Sequence, residues 1–97
     1  MTDPTLLVLS SLAGGDKHGY AMMEDIERFA GVRLGPGTLY GAITRLEERD
    51  WIRGLPVSND DRRRPYTLTA EGRKHLEAEV AALAQITRTA TRRLKTV

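Results

Sequence analysis

Pro36, Gly37, Gly41 and Thr44 constrain the stretch from Leu34 to Arg49 more tightly than any other part of this chain is constrained. Pro36 suits the first position of a helix, where its missing N–H would have gone unpaired. Beyond it Leu39, Ile43 and Leu46 recur at helical spacing, with Ala42 beside them, and define an inward stripe. The opposite face carries Gly37, Gly41 and Thr44, flanked by Thr38 and Arg45 on one side and Tyr40 on the other. Each glycine on an exposed helix face costs roughly 1 kcal/mol relative to alanine. A face without bulk at its centre lets the helix axis approach another surface closely.

The flanking segments read as further short elements. A first helix is predicted from Thr5 to Ala13, with Asp3 or Thr2 as cap, Pro4 in the tolerated first turn and Gly14-Gly15 as its end. Its almost continuous apolar character predicts burial on most sides. A second helix is predicted from Lys17 to Ala30, with Asp16 as N-cap and Gly31 as stop. Met22, Ile26 and Phe29 form its buried stripe, and Tyr20 lies roughly 160° away from Met22 at helical pitch. His18 is expected to cap or pack near the start of that helix. Trp51 to Val57 reads as a strand that Pro56 confines to a sheet edge, Ser58 to Asp61 as a turn, and Pro65 to Leu68 as the returning strand. Trp51 is expected in the core and Tyr66 as core or strand filler. Thr69 caps a long last helix, and Glu71 in its first turn suits the helix dipole.

Along that helix Leu76, Val80, Leu83, Thr87, Ala90 and Leu94 keep a spacing of four, three, four, three and four. A heptad seam of this length predicts pairing with a second copy of the chain, those six residues forming the dimer interface. The fold class expected is mainly α: three helices, a two-stranded hairpin and a long final helix, a winged helix-turn-helix. Residues 1–69 would form the DNA-binding domain and residues 70–97 the dimerisation helix.

Composition excludes several functions. The chain has 97 residues, one domain's worth, and no cysteine, which rules out disulfides and thiolate metal sites. The apolar run from Leu6 to Ala13 is too short to span a bilayer and follows Asp3 rather than basic residues, so a cytoplasmic protein is expected. No enzyme is expected: nothing sets Ser10 or Ser11 beside His18 or His75. The run Gly35-x-Gly37-x-x-x-Gly41 is one residue too long for a dinucleotide loop and has no preceding strand. No cofactor and no metal site is expected, since His18, His75 and the scattered carboxylates offer no two groups at ligand spacing on one helix. A metal-responsive sensor and a protein-binding adaptor without DNA binding are the alternatives weighed. The net charge is only +2, but no acid follows Glu79 while Arg88, Arg92, Arg93 and Lys95 do, an asymmetry compatible with a polyanionic partner. Arg62-Arg63-Arg64 at the hairpin tip adds a basic wing to a groove-fitting helix, and an adaptor would be expected to lack it.

Specific residues narrow the plan. His18-Gly19-Tyr20, Leu34-x-Pro36-Gly37-Thr38-Leu39-Tyr40, Arg45-Leu46-Glu47 and Tyr66-x-Leu68-Thr69-x-x-Gly72 resemble, in order and spacing over about residues 5–75, the PadR family of bacterial transcriptional regulators. The single C-terminal helix is similar to the smaller branch of that family. Gly35 stands where the family often has a serine cap, Gly41 where it often has proline, and Asp50 where glycine is usual. The resemblance implies a homodimeric repressor acting on double-stranded DNA at a palindromic operator, with a small aromatic effector releasing it. The residues expected to contact DNA are Tyr20 at the backbone, Gly37, Thr38, Tyr40, Thr44 and Arg45 on the groove-facing helix, and Arg62, Arg63 and Arg64 on the wing.

Overall fold

A computed structural model describes residues 3–61 and 63–96, so the expected contributions of Thr2 and Arg62 lie outside the described residues. Helix α1 (Pro4–Ala13) opens the chain with proline in its first turn, and the Asp3 side chain accepts the Thr5 N–H at 2.9 Å. Leu7, Val8, Leu9, Ser11 and Leu12 are all buried, as the apolar run predicts.

The second helix begins later than its sequence suggests. Lys17–His18 form a short strand, β1, and α2 runs Gly19–Ala30. The N-cap is His18 rather than Asp16, with the imidazole Nδ1 accepting the Ala21 N–H at 3.3 Å. Gly31 ends α2 at φ 69°, a left-handed conformation that glycine adopts without steric cost. Met22 and Ile26 are fully buried, but Phe29 is 50% exposed. Phe29 has the azimuth of the buried stripe yet stands at the helix end, beyond the elements that cover Met22 and Ile26.

Helix α3 (Pro36–Glu48) buries Leu39, Ala42, Ile43 and Leu46 as expected, and Gly35 caps it without a side-chain hydrogen bond. Asp50 turns the chain at φ 60° into β2 (Ile52–Gly54). The predicted strand Trp51–Val57 is therefore shorter, although Leu55 N–H still donates to Pro65 O at 2.8 Å. Strand β3 (Pro65–Leu68) returns antiparallel, pairing Ile52 with Leu68 and Gly54 with Tyr66. The expected two-stranded hairpin is β2–β3, and β1 adds a third strand on the other edge of β3, Lys17 opposite Tyr66, giving a sheet in the order β1-β3-β2. A two-residue strand has no alternation to recognise, so only the tertiary pairing reveals it.

Helix α4 (Ala70–Leu94) starts with the Thr69 hydroxyl accepting the Gly72 N–H at 3.0 Å. Its first turns pack into the common core through Gly72 and Leu76, so the packing does not divide at the expected boundary between residues 69 and 70. Leu76, placed by its spacing in the dimer seam, is 8% exposed within its own chain. The rest of the 25-residue helix runs clear of the other elements, in a molecule 59 Å long and 26 Å by 20 Å across. One polar contact tightens the core's edge. Buried Ser11 donates to Asp25 Oδ2 at 2.7 Å, and Lys17 and Arg28 stand 3.9 Å and 3.8 Å from the same carboxylate.

Candidate nucleic-acid interface

The uncovered face of α3 is as bare as its sequence implies. No atom lies within 4 Å of where a Cβ on Gly37 would be, and at Gly41 only Arg45 Nη1 does, at 3.6 Å. Thr38, Tyr40, Thr44 and Arg45 are all exposed. Thr44 turns its hydroxyl back to donate to Tyr40 O at 2.9 Å, leaving the oxygen lone pairs outward.

Beside this face lies a cavity of about 280 Å³ lined by His18, Gly19, Tyr20, Tyr40, Arg63, Arg64 and Tyr66. Four of the residues selected from sequence, Tyr20, Tyr40, Arg63 and Arg64, thus meet at one place. Gly37, Thr38, Thr44 and Arg45 lie along α3 outside that lining. Gly19 is glycine for a packing reason: the Tyr40 phenol occupies the space a Cβ would need, its Cζ 2.8 Å from that position. Reading the sequence assigned His18 to capping and Tyr66 to filling, and missed that both also face this cavity.

Arg63 and Arg64 are held rather than free. Arg63 forms a bidentate pair with Asp61, Nη2 to Oδ2 at 2.9 Å and Nε to Oδ1 at 3.0 Å. The Arg63 side-chain hydrogen bond, with its backbone N–H and charge, holds the Asp61 carboxyl down at about 2. Asp61 in turn raises the Arg63 guanidinium above its usual range. Arg64 Nη1 donates to Leu55 O at 2.8 Å, and its Cδ lies 2.8 Å from where a Gly54 Cβ would be. Among the described residues Arg64 has no ion-pair partner, whereas Arg63 is paired with Asp61. Burial pushes the Tyr66 phenol up, Glu47 and Tyr40 adding to this and Arg64 opposing it, so the hydroxyl keeps its proton.

Residues 8–78 match the model of the transcriptional regulator PadR-like family. The chain belongs to that family. It is therefore a DNA-binding transcription regulator, of a kind that carries no enzymatic activity. A PadR family transcription regulator from Clostridium difficile superposes with a TM-score of 0.84 at 27% identity, over 96% of this chain and 99% of that one. A PadR family regulator from Eggerthella lenta gives 0.79 at 26% identity, over 96% and 82%. An uncharacterised 37.1 kDa protein of a Streptomyces fradiae transposon is 46% identical over 84 residues, 87% of this chain. The chain spans about a quarter, 24%, of that relative's length.

The PadR-like chain carries two further features on or against α4. Trp51 is half-buried rather than fully in the core and stacks on His75, ring centres 3.7 Å apart at 17°, with Arg49 Cζ 5.0 Å from its ring centre. His75 Nε2 lies 3.3 Å from Glu79 Oε2, one helical turn on, a spacing the sequence reading overlooked. Among the described residues no three His, Cys, Asp or Glu side chains gather as a metal site would require, and no helix is long and apolar enough to cross a membrane. The second feature is an apolar stripe of Val80, Leu83, Ile86 and Leu94, all exposed. Ile86, 63% exposed, lies outside the heptad register, about 60° around the helix from Leu83. Together with Gln85, Thr89, Ala90 and Arg93 it lines an open recess of about 410 Å³.

Proposed function

We propose that this PadR-like regulator binds a palindromic operator as a homodimer, represses the genes beside it, and leaves the DNA when a small aromatic effector binds. The observation that carries the DNA half of this reading is the convergence of Tyr20, Tyr40, Arg63 and Arg64 at one edge of α3's bare face. In this reading the N-terminal half of α3 enters the major groove, where base edges differ. Thr38, Thr44 and Arg45 reach base edges, while the first-turn N–H groups at Gly37 and Thr38 receive a phosphate. The wing, Arg62, Arg63 and Arg64, lies along the adjacent backbone.

The dimer is supported by the length of α4 beyond the core and by its stripe of Val80, Leu83, Ile86 and Leu94, with Thr87 and Ala90 between them. Leu76 serves the chain's own core instead. A two-fold dimer presents two copies of α3, hence a palindromic site, and a dimer seated on a promoter excludes polymerase. The recess around Ile86 is where an aromatic effector would lie, once a partner helix covers it. Selection of bound sequences from random duplex DNA, with solution mass measured on the same protein, tests the reading. A palindromic consensus and a dimeric mass are expected; a monomeric mass with an asymmetric consensus rejects it. Transcription from a promoter carrying the consensus should fall when the protein is added.

A further inference from the structure

A single charged side chain, Arg45, lies across the bare face of α3. It leans back towards the helix N-terminus, as long helical side chains do, and its Nη1 stands 3.6 Å from where a Cβ on Gly41 would be. The guanidinium therefore sits roughly one helical turn, about 5.4 Å, nearer the N-terminal half of α3 than its own Cα. It crosses a residue that has no side chain to lift it off the helix. Among the described residues exposed Arg45 makes no hydrogen bond and no ion pair, although Glu48 follows it by three positions on the same helix. Its neighbours on the face cannot take its role. Thr44 spends its hydroxyl proton on Tyr40 O at 2.9 Å, and Gly37 and Gly41 offer no side chain at all. The N–H groups of Arg45 are thus the donors at the middle of the face, and a guanidinium has no acceptor.

We propose that Arg45 selects a guanine in the major groove by donating to its O6 and N7, and that Gly41 is the positioning residue that lets the guanidinium lie flat on α3. The proposal rests on the reading that this face of α3 enters the groove. Guanine is the base whose major-groove edge presents two acceptors side by side, and the planar fork of arginine matches them. Adenine sets a donor beside its N7, cytosine offers a donor, and thymine one acceptor beside a methyl group. A guanidinium already laid along the helix loses less rotamer freedom on binding than one extended into water. A methyl on residue 41 would only touch Nη1 at ordinary contact distance, whereas a longer side chain would take the place of the guanidinium. Gly41 stands where the family often has proline, so the space that Arg45 crosses is a feature of this chain.

The test uses the full chain and a duplex selected for tight binding, with each guanine replaced in turn by 7-deazaguanine, which lacks the N7 acceptor. At one guanine per half-site this should weaken wild-type binding by about tenfold, and a change to adenine by at least about as much. Arg45→Ala should bind the unmodified duplex about tenfold or more weakly and be indifferent to both changes at that guanine. Gly41→Ala should keep the guanine preference. Gly41→Leu should lose it, and should remove no further preference in the Arg45→Ala background, since the two residues act as one. The proposal is overturned if Arg45→Ala weakens binding equally on every base variant, which is the mark of a phosphate contact. It is overturned for Gly41 if Gly41→Leu weakens all duplexes alike and leaves the guanine preference in place. A wild type that binds duplexes without base preference, or binds none, would remove the underlying reading of α3 and this inference with it.

Discussion

Gly72→Ala is expected to destabilise this protein although alanine is the better helix former. Gly72 is buried in the first turn of α4, against the backbone of Trp51. A Cβ there would overlap the Trp51 carbonyl oxygen, with Trp51 C at 2.8 Å and Leu68 Cδ1 at 3.0 Å. Backbone atoms cannot rotate away, and these are tied down: Thr69 N–H donates to Trp51 O at 3.0 Å, and the Thr69 hydroxyl to Asp50 O at 2.6 Å. Overpacking of this kind costs about 3 kcal/mol or more when nothing gives way, and helix propensity returns only about 1 kcal/mol. The net loss is about 2 kcal/mol, a fall in Tm of roughly 8–16 °C for a domain of this size. Gly37→Ala is the control. It sits on a helix with no atom within 4 Å of the added methyl, so it should gain up to about 1 kcal/mol and melt higher. Thermal unfolding followed by circular dichroism, at one protein concentration because association shifts Tm, separates the two. A Gly72→Ala protein melting at or above wild type would refute the close seating of α4 on the Trp51 backbone.

Other outcomes follow from the wing, the core edge and α4. Asp61→Asn should free Arg63 and steepen the salt dependence of DNA binding by about 0.9 in log K against log salt; an unchanged slope would show that Arg63 does not reach phosphate. The Asp61 carboxyl is depressed to about 2, so its pair with Arg63 persists above its ordinary 3.8 and is lost only as pH falls towards 2. Changes of pH near neutrality therefore should not release Arg63, which binding titrations across that range would check. Ser11→Ala removes a buried donor to Asp25 and should cost about 1.5–3 kcal/mol, read as a lower urea midpoint; an unaltered midpoint would show the bond to be replaceable by water. Ile86→Asp should leave the secondary structure intact and shift the solution mass from dimer to monomer, whereas a persistent dimer would place the interface elsewhere.

Much of the architecture was legible from local chemistry. Proline after glycine started α3, the Leu39, Ile43 and Leu46 spacing set its buried side, and Asp50 took the left-handed turn that its short polar side chain tolerates. Where the reading departed from the structure, a distant partner decided. Asp16 had the right chemistry for a cap, but pairing of Lys17–His18 with β3 shifted the helix start to Gly19. Phe29 had the right period but stands half exposed at the helix end. Leu76 had the heptad spacing and was claimed by its own core.

The same division holds at the candidate site. Bare glycines on α3 and clustered arginines on the wing are properties of neighbouring residues, so the chain alone announces a surface suited to nucleic acid. That the Tyr66 hydroxyl, the Tyr40 ring and the opening turn of α2 enclose one cavity depends on residues more than forty positions apart meeting in space. Periodicity records which side of an element turns inward, because that is set by the pitch of one helix or strand. It holds no record of what stands opposite, because that is set by how separate elements pack, and here the seating of α4 against the Trp51 backbone left room only for glycine at position 72.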